Sequence, residues 1–97
     1  MEIRFEWDHA KAVINKRRHG VSFEDAKHTF ADPHVVLVED CEADGEMRYH
    51  AIGYAAGELL LTVVHTDRSD EEQEIIRIIS ARKANNYEQS TYADQFA

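Results

Sequence analysis

The chain opens on a two-residue rhythm and then slows. In Arg4-Phe5-Glu6-Trp7, Phe5 and Trp7 fall on one side and Arg4 and Glu6 on the other, the period of a short strand. From Asp8 the period lengthens. Ala10, Val13, Ile14 and Arg17 recur at helical spacing, which predicts a helix capped by Asp8 and running to about His19. Gly20 supplies a left-handed stop. Ser22-Phe23-Glu24-Asp25 has the Ser-x-x-acid form of a helix start, and a second helix with Phe23, Ala26 and Phe30 on one face is predicted to about Ala31. Asp32-Pro33 ends it, because proline disfavours helix in the residue before it. Together the two make a helical hairpin.

Strand patterns follow. His34 to Glu39 is apolar, and a polar loop containing Cys41 and Gly45 separates it from Met47 to Tyr54. There Met47, Tyr49 and Ala51 alternate with Arg48, His50 and Ile52. Ala55-Ala56-Gly57 predicts a tight turn, and Glu58 to Thr66 the most apolar strand. A charged loop, Asp67 to Glu72, leads to a fifth strand at residues 74–80. Consecutive strands on short connections pair as an antiparallel meander. A last helix from about Ala81 is expected to turn Ala84, Tyr87, Thr91 and Tyr92 toward the sheet, the tyrosines packing or, alternatively, stacking on bases. The expectation is an α+β fold: one domain over residues 1–97, an antiparallel sheet of four to five strands, an N-terminal helical hairpin and a C-terminal helix.

Composition narrows the function. Ninety-seven residues at 43% hydrophobic content support one modest core. No apolar run is long enough for a transmembrane helix, and Met1 to Trp7 lacks a signal-peptide core, so no membrane association is expected. Cys41 has no partner for an internal disulfide, which suits a reducing, cytoplasmic setting. The net charge of -8 argues against a nonspecific nucleic-acid coat. The acid is unevenly spread, however. Between Glu39 and Glu74 there are eleven carboxylates against only Arg48 and Arg68. Bases gather at Lys16-Arg17-Arg18-His19 and at Arg77, Arg82 and Lys83. Folding that joins those groups makes a basic cleft on an acidic protein; the acidic stretch equally suits a basic partner.

The segment Glu74 to Ala84 is the most telling. Arg77 interrupts a run of four isoleucines, and a charge there is costly to bury without a partner. It is either bridged internally, to Glu74, Glu88 or an acid of the first helix, or it lies at a cleft and meets an anion. Arg82 and Lys83 are expected in the first turn of the last helix with Ser80 as N-cap, where cations oppose the dipole unless an anion binds. A symmetric loop between the fourth and fifth strands sets His65 opposite Arg77 on one face. An imidazole, with its ordinary pKa of about 6.5, suits acid–base work there, although histidines at such positions are often merely packed. The cluster Lys16, Arg17, Arg18 and His19 is placed to form the opposite wall, or simply to complement the helix dipole.

Scattered histidines and a lone cysteine offer no metal site, and neither a Gly-rich phosphate loop nor a nucleophile elbow is present. Metal-free, cofactor-free cleavage of RNA fits what remains. The 2'-hydroxyl is the nucleophile, and the protein supplies a proton acceptor, a proton donor and fixed positive charge.

Longer words match a known family. Phe5-Glu6-Trp7-Asp8, Lys11, Asn15, Arg18-His19-Gly20-Val21-Ser22-Phe23-Glu24-Asp25-Ala26, Phe30-Ala31-Asp32-Pro33, Arg48, Ile52-Gly53 and Ile76-Arg77-Ile78-Ile79-Ser80-Ala81-Arg82-Lys83-Ala84, with Glu88 and Tyr92, resemble the BrnT family of toxins. The resemblance implies a RelE-like ribonuclease toxin of a type II toxin–antitoxin pair that cuts RNA without a metal and arrests growth by inhibiting translation. It also implies a BrnA-like ribbon-helix-helix antitoxin as partner, with operator DNA bound only through the complex. Arg77, Ser80 and Arg82 match the family's signature word, and Arg18-His19 matches its Lys-His-Gly element with arginine for lysine. His65 has no counterpart and rests on strand register. The family's arginine-rich segment after Ala84 is replaced here by Asn85, Asn86, Tyr87, Gln89 and Ser90. That departure keeps a second expectation open: a catalytically weak binding module that mainly holds its antitoxin.

Overall fold

The first strand, β1 (Ile3–Glu6), lies beside the last, β5 (Glu74–Lys83), and runs parallel to it. The computed structural model describes residues 2–57 and 59–97. Its sheet is therefore mixed rather than wholly antiparallel, in the order β1-β5-β4-β3-β2, with β2 at Val36–Ala43, β3 at Glu46–Tyr54 and β4 at Leu60–Asp67. The helical hairpin explains the difference. It carries the chain across one face of the sheet to the far edge, so β1 has no sequence neighbour to pair with. The predicted strand start at Glu58 lies outside the described residues, as does Met1.

Helix α1 (His9–His19) is bounded as its sequence predicts. The Asp8 carboxylate accepts from Lys11 N at 3.0 Å, and Gly20 closes the helix with φ 73°. Helix α2 is shorter than predicted, Phe23–Ala26, and tightens into a 3₁₀ segment at Lys27–Ala31. Close packing accounts for the tightening. Thr29 of that segment is fully buried against Gly53 of β3, and a Cβ on Gly53 would sit 3.1 Å from both the methyl and the carbonyl oxygen of Thr29.

Strand β2 runs on through Cys41 past an irregularity between Glu39 and Glu42, replacing the predicted polar loop. The turn itself is Asp44-Gly45, both with positive φ, the two-residue form that matches hairpin twist. Strand β5 also outruns its predicted end. Arg82 and Lys83 stand on the strand, and helix α3 (Asn86–Asp94) starts later. Asn85 is its N-cap, in place of Ser80, with reciprocal bonds of 2.9 Å between Asn85 and Glu88.

The edge of β5 beyond the end of β1 needs partners for its backbone, and Asn15 of α1 supplies them. Its amide donates to Ala81 O at 2.8 Å and accepts from Ala81 N at 3.1 Å, as a neighbouring strand would, and also donates to Val21 O. The main core lies between this face of the sheet and the hairpin, with Val21, Phe23, Ala26, Ala51, Leu61, Val63, Ile76, Ile78 and Ala81 at its centre. On the opposite face α3 covers only one end, where Ile52, Ala84 and Tyr92 pack with Val36 and Leu60. Of the residues expected on the inner side of this helix, Tyr92 is buried, but Tyr87 is 81% exposed.

Candidate active site

Strand alternation sends half the side chains of β3, β4 and β5 to the face away from the hairpin. Register then aligns them in rows. Glu6, Arg77, Thr66 and Arg48 form one row across β1, β5, β4 and β3. Ser80, Val64, His50 and Val38 form the next. Arg82, Thr62, Ile52 and Val36 form the third, at the end that α3 covers. The first two rows are open.

The first row is locally basic. Arg77 contacts Glu6 at 3.5 Å with 26% of its side chain exposed. Arg68 bonds Glu46 through two nitrogens at 2.9 and 3.1 Å and reaches Glu6 at 3.6 Å. The Arg68 hydrogen bonds, with help from Arg77 and Arg48, hold the Glu46 carboxyl below its ordinary range. Arg48 makes no ion pair among the described residues, and its Nε is buried without a hydrogen-bond partner. The Thr66 hydroxyl between Arg48 and Arg77 is likewise unpartnered. Three guanidiniums thus face two carboxylates, a positive patch on a protein of net charge -8.

The third row is a locked network. Arg82 grips Glu88 at 2.6 and 2.9 Å, and the Glu88 side chain is only 8% exposed. Burial pushes this carboxyl up, but Arg82 and the Asn85 N–H outweigh it and hold the pKa at about 2. Between the rows, the His50 ring stands 3.2 Å from Asp40 and 3.9 Å from Glu88.

The structure separates the residues singled out from sequence. Arg77 is on the open face, loosely paired at its rim. Arg82 shares that face but is not a free cation at a helix N-terminus, because the strand continues through it and Glu88 neutralises it. His65 does not face Arg77; Thr66 does, and His65 faces Ile78. The one-residue slip comes from Asp70, which accepts from Glu72 N and Gln73 N and so displaces the turn from the loop's midpoint. His65 therefore points into the core, 4% exposed, with Phe30 edge-on at 4.8 Å and Tyr49 stacked at 5.8 Å. Burial lowers its pKa and keeps it neutral.

The basic cluster of α1 divides. Arg18 and His19, with Lys11, line a shallow cleft of about 150 Å³ against Ile79 and Ser80. Lys16 and Arg17 turn to the other side, beside Trp7 and Phe23, with Lys16 Nζ on Gly20 O at 3.3 Å. Lys83 is exposed at the end of β5. Arg48, His50, Thr66 and Glu88, which the structure brings beside Arg77 and Arg82, are not candidates that the sequence alone singles out. The signal was the alternation of Arg48, His50 and Ile52, which gains meaning only once β3 is known to lie beside β4.

Among the described residues no three His, Cys, Asp or Glu side chains converge as metal ligands, and no helix is long and apolar enough to cross a membrane.

Comparison with known proteins identifies the family. No curated protein matches the chain at significant similarity. The fold is similar to the 1.1 Å crystal structure of the Brucella abortus ribonuclease toxin BrnT, with TM-score 0.63 and 24% identity over 88% of this chain and 100% of that one. The family model described as "Ribonuclease toxin, BrnT, of type II toxin-antitoxin system" matches residues 7–88, a span that holds α1, Arg48, Thr66, Arg77 and Glu88. The chain belongs to the BrnT family of ribonuclease toxins of type II toxin–antitoxin systems.

Proposed function

We propose that this chain cleaves RNA on the open face of its sheet, without a metal, by attack of the 2'-hydroxyl on the adjacent phosphate. The row Arg77–Thr66–Arg48 carries the reading. Two strand spacings separate the arginines, about 10 Å between backbones, which leaves both guanidiniums able to converge on one phosphate. Arginine stays protonated and binds phosphate through two nitrogens, so it meets the charge that develops in the transition state. Arg82, fixed by Glu88, bounds the site. Arg18, His19 and Ser80 extend it toward α1, where a flanking nucleotide would run, with Lys83 at the strand end. Lys16 and Arg17, on the outer side of α1, meet only longer RNA.

Cleavage of cellular RNA would inhibit translation in the cytoplasm, with a basic ribbon-helix-helix antitoxin restraining the toxin and linking it to operator DNA. Expression is expected to arrest growth, and Arg77→Ala to relieve the arrest while the protein stays folded. Equal arrest by parent and Arg77→Ala would remove Arg77 from the site.

One observation favours a second reading, a weak nuclease that chiefly holds its antitoxin: the Arg82–Glu88 pair takes one of the two signature arginines out of play. Purified protein that binds antitoxin tightly yet leaves RNA intact at high concentration would establish that reading instead.

A further inference from the structure

We infer that His50 is the proton donor to the leaving 5'-oxygen, an assignment that rests on the RNA-cleavage reading above. His50 occupies the middle row of the open face, two residues along β3 from Arg48 and on the same side. That spacing is about 7 Å, within reach of a phosphate held by Arg48.

Elimination by chemistry points the same way. The groups around His50 are Asp40 from β2, Glu88 from α3, Arg48 on its own strand and Arg82 from β5. The arginines do not release protons near neutral pH. Glu88 is ionised, saturated by Arg82 and Asn85, and cannot donate. Asp40 is a 43% exposed carboxylate and no better a donor. His65 lies behind, buried and neutral in the core. His19 is the other imidazole near this site, but it lines the cleft of α1 with Ile79 and Ser80, whereas His50 is the imidazole beside Arg48 on β3.

The surroundings position it. Glu88 is fixed from two sides and faces Nδ1. Asp40 sits beside the β2 irregularity and contacts Nε2 through a side chain that is 43% exposed. In the step, the 2'-oxygen bonds to phosphorus and its proton leaves to water. The bond from phosphorus to the 5'-oxygen breaks, and the His50 proton goes to that oxygen. The products are a 2',3'-cyclic phosphate and a 5'-hydroxyl, and solvent restores the imidazolium.

The test compares the full-length parent, His50→Gln, His50→Asn and Arg77→Ala on two substrates. One is ordinary RNA; the other carries sulfur in place of the 5'-bridging oxygen, a leaving group that needs no protonation. The histidine variants are expected to lose 100-fold or more on ordinary RNA. They are expected to cleave the sulfur substrate at near-parent rate. Affinity for an uncleavable 2'-deoxy analogue should not change. Histidine variants that cleave ordinary RNA as the parent does, or that lose both substrates equally, overturn the assignment. If Arg77→Ala alone is inactive, the RNA reading stands and His50 falls; if the parent is inactive on both substrates, both fall.

Discussion

Arg82 and Glu88 lie six residues apart in sequence and meet through paired hydrogen bonds of 2.6 and 2.9 Å across the junction of β5 and α3. The same carboxylate accepts from Asn85 N, so one side chain caps a helix, neutralises a strand arginine and faces His50. An arginine that sequence alone offers as a free phosphate ligand is instead part of the frame.

Glu88→Gln is expected to destabilise the protein by about 3 kcal/mol at neutral pH. The sign follows from a carboxyl held at about 2 against an ordinary value of 4.5. Its contribution is complete above pH 4.5 and disappears as pH falls through 2. Urea unfolding of parent and variant at pH 7 and at pH 3 should show the gap shrinking toward acid; a constant gap would mean the pair is not ionic.

Asn15→Ala removes the substitute strand partner of Ala81 and leaves a buried N–H and C=O without bonds. Each orphaned group costs about 1–3 kcal/mol, so a loss of about 3 kcal/mol or more in unfolding free energy is expected, measured by urea unfolding. Asn15→Asp should be nearly as damaging, because aspartate accepts but cannot donate.

Gly53→Ala places a methyl 3.1 Å from Thr29 and 3.2 Å from Asp32. Overpacking of this kind costs about 1–3 kcal/mol. Thermal unfolding is the measurement, and pairing the change with Thr29→Ser, which deletes the clashing methyl, should recover part of the loss.

His65→Leu should leave RNA cleavage within about twofold of the parent, since His65 belongs to the core and not the open face. It should also alter the pH dependence of stability. In the parent, the unfolded chain takes up a proton below about pH 6.5 that the buried imidazole refuses, so stability falls with acid; the leucine variant lacks that component. Cleavage abolished in a folded His65→Leu protein would contradict this placement.

Local signals brought much of this fold within reach of the sequence. Asp8, Gly20 and Ser22 mark helix boundaries through their own side chain or φ, and such signals need no tertiary context. What failed was decided at a distance. The parallel pairing of β1 with β5 joins opposite ends of the chain, and the extension of β5 through Arg82 depends on Asn15 reaching Ala81. The His65 register turned on which carboxylate in an acidic loop caps the turn, and Asp70 rather than the loop's centre prevailed. The proposed site was legible in the same measure. Arg77 could be named because a charge inside an isoleucine run is conspicuous alone, whereas Arg48 and Thr66 acquire a role only by lying beside it.

The most direct test of the account is cleavage of RNA by the purified protein in the presence of a metal chelator, with end-group analysis, alongside folded Arg77→Ala. The parent is expected to yield 2',3'-cyclic phosphate ends and the variant to be at least about 100-fold slower. Intact RNA with the parent, products ending in a 3'-hydroxyl, or an Arg77→Ala protein that cleaves as fast as the parent would contradict it.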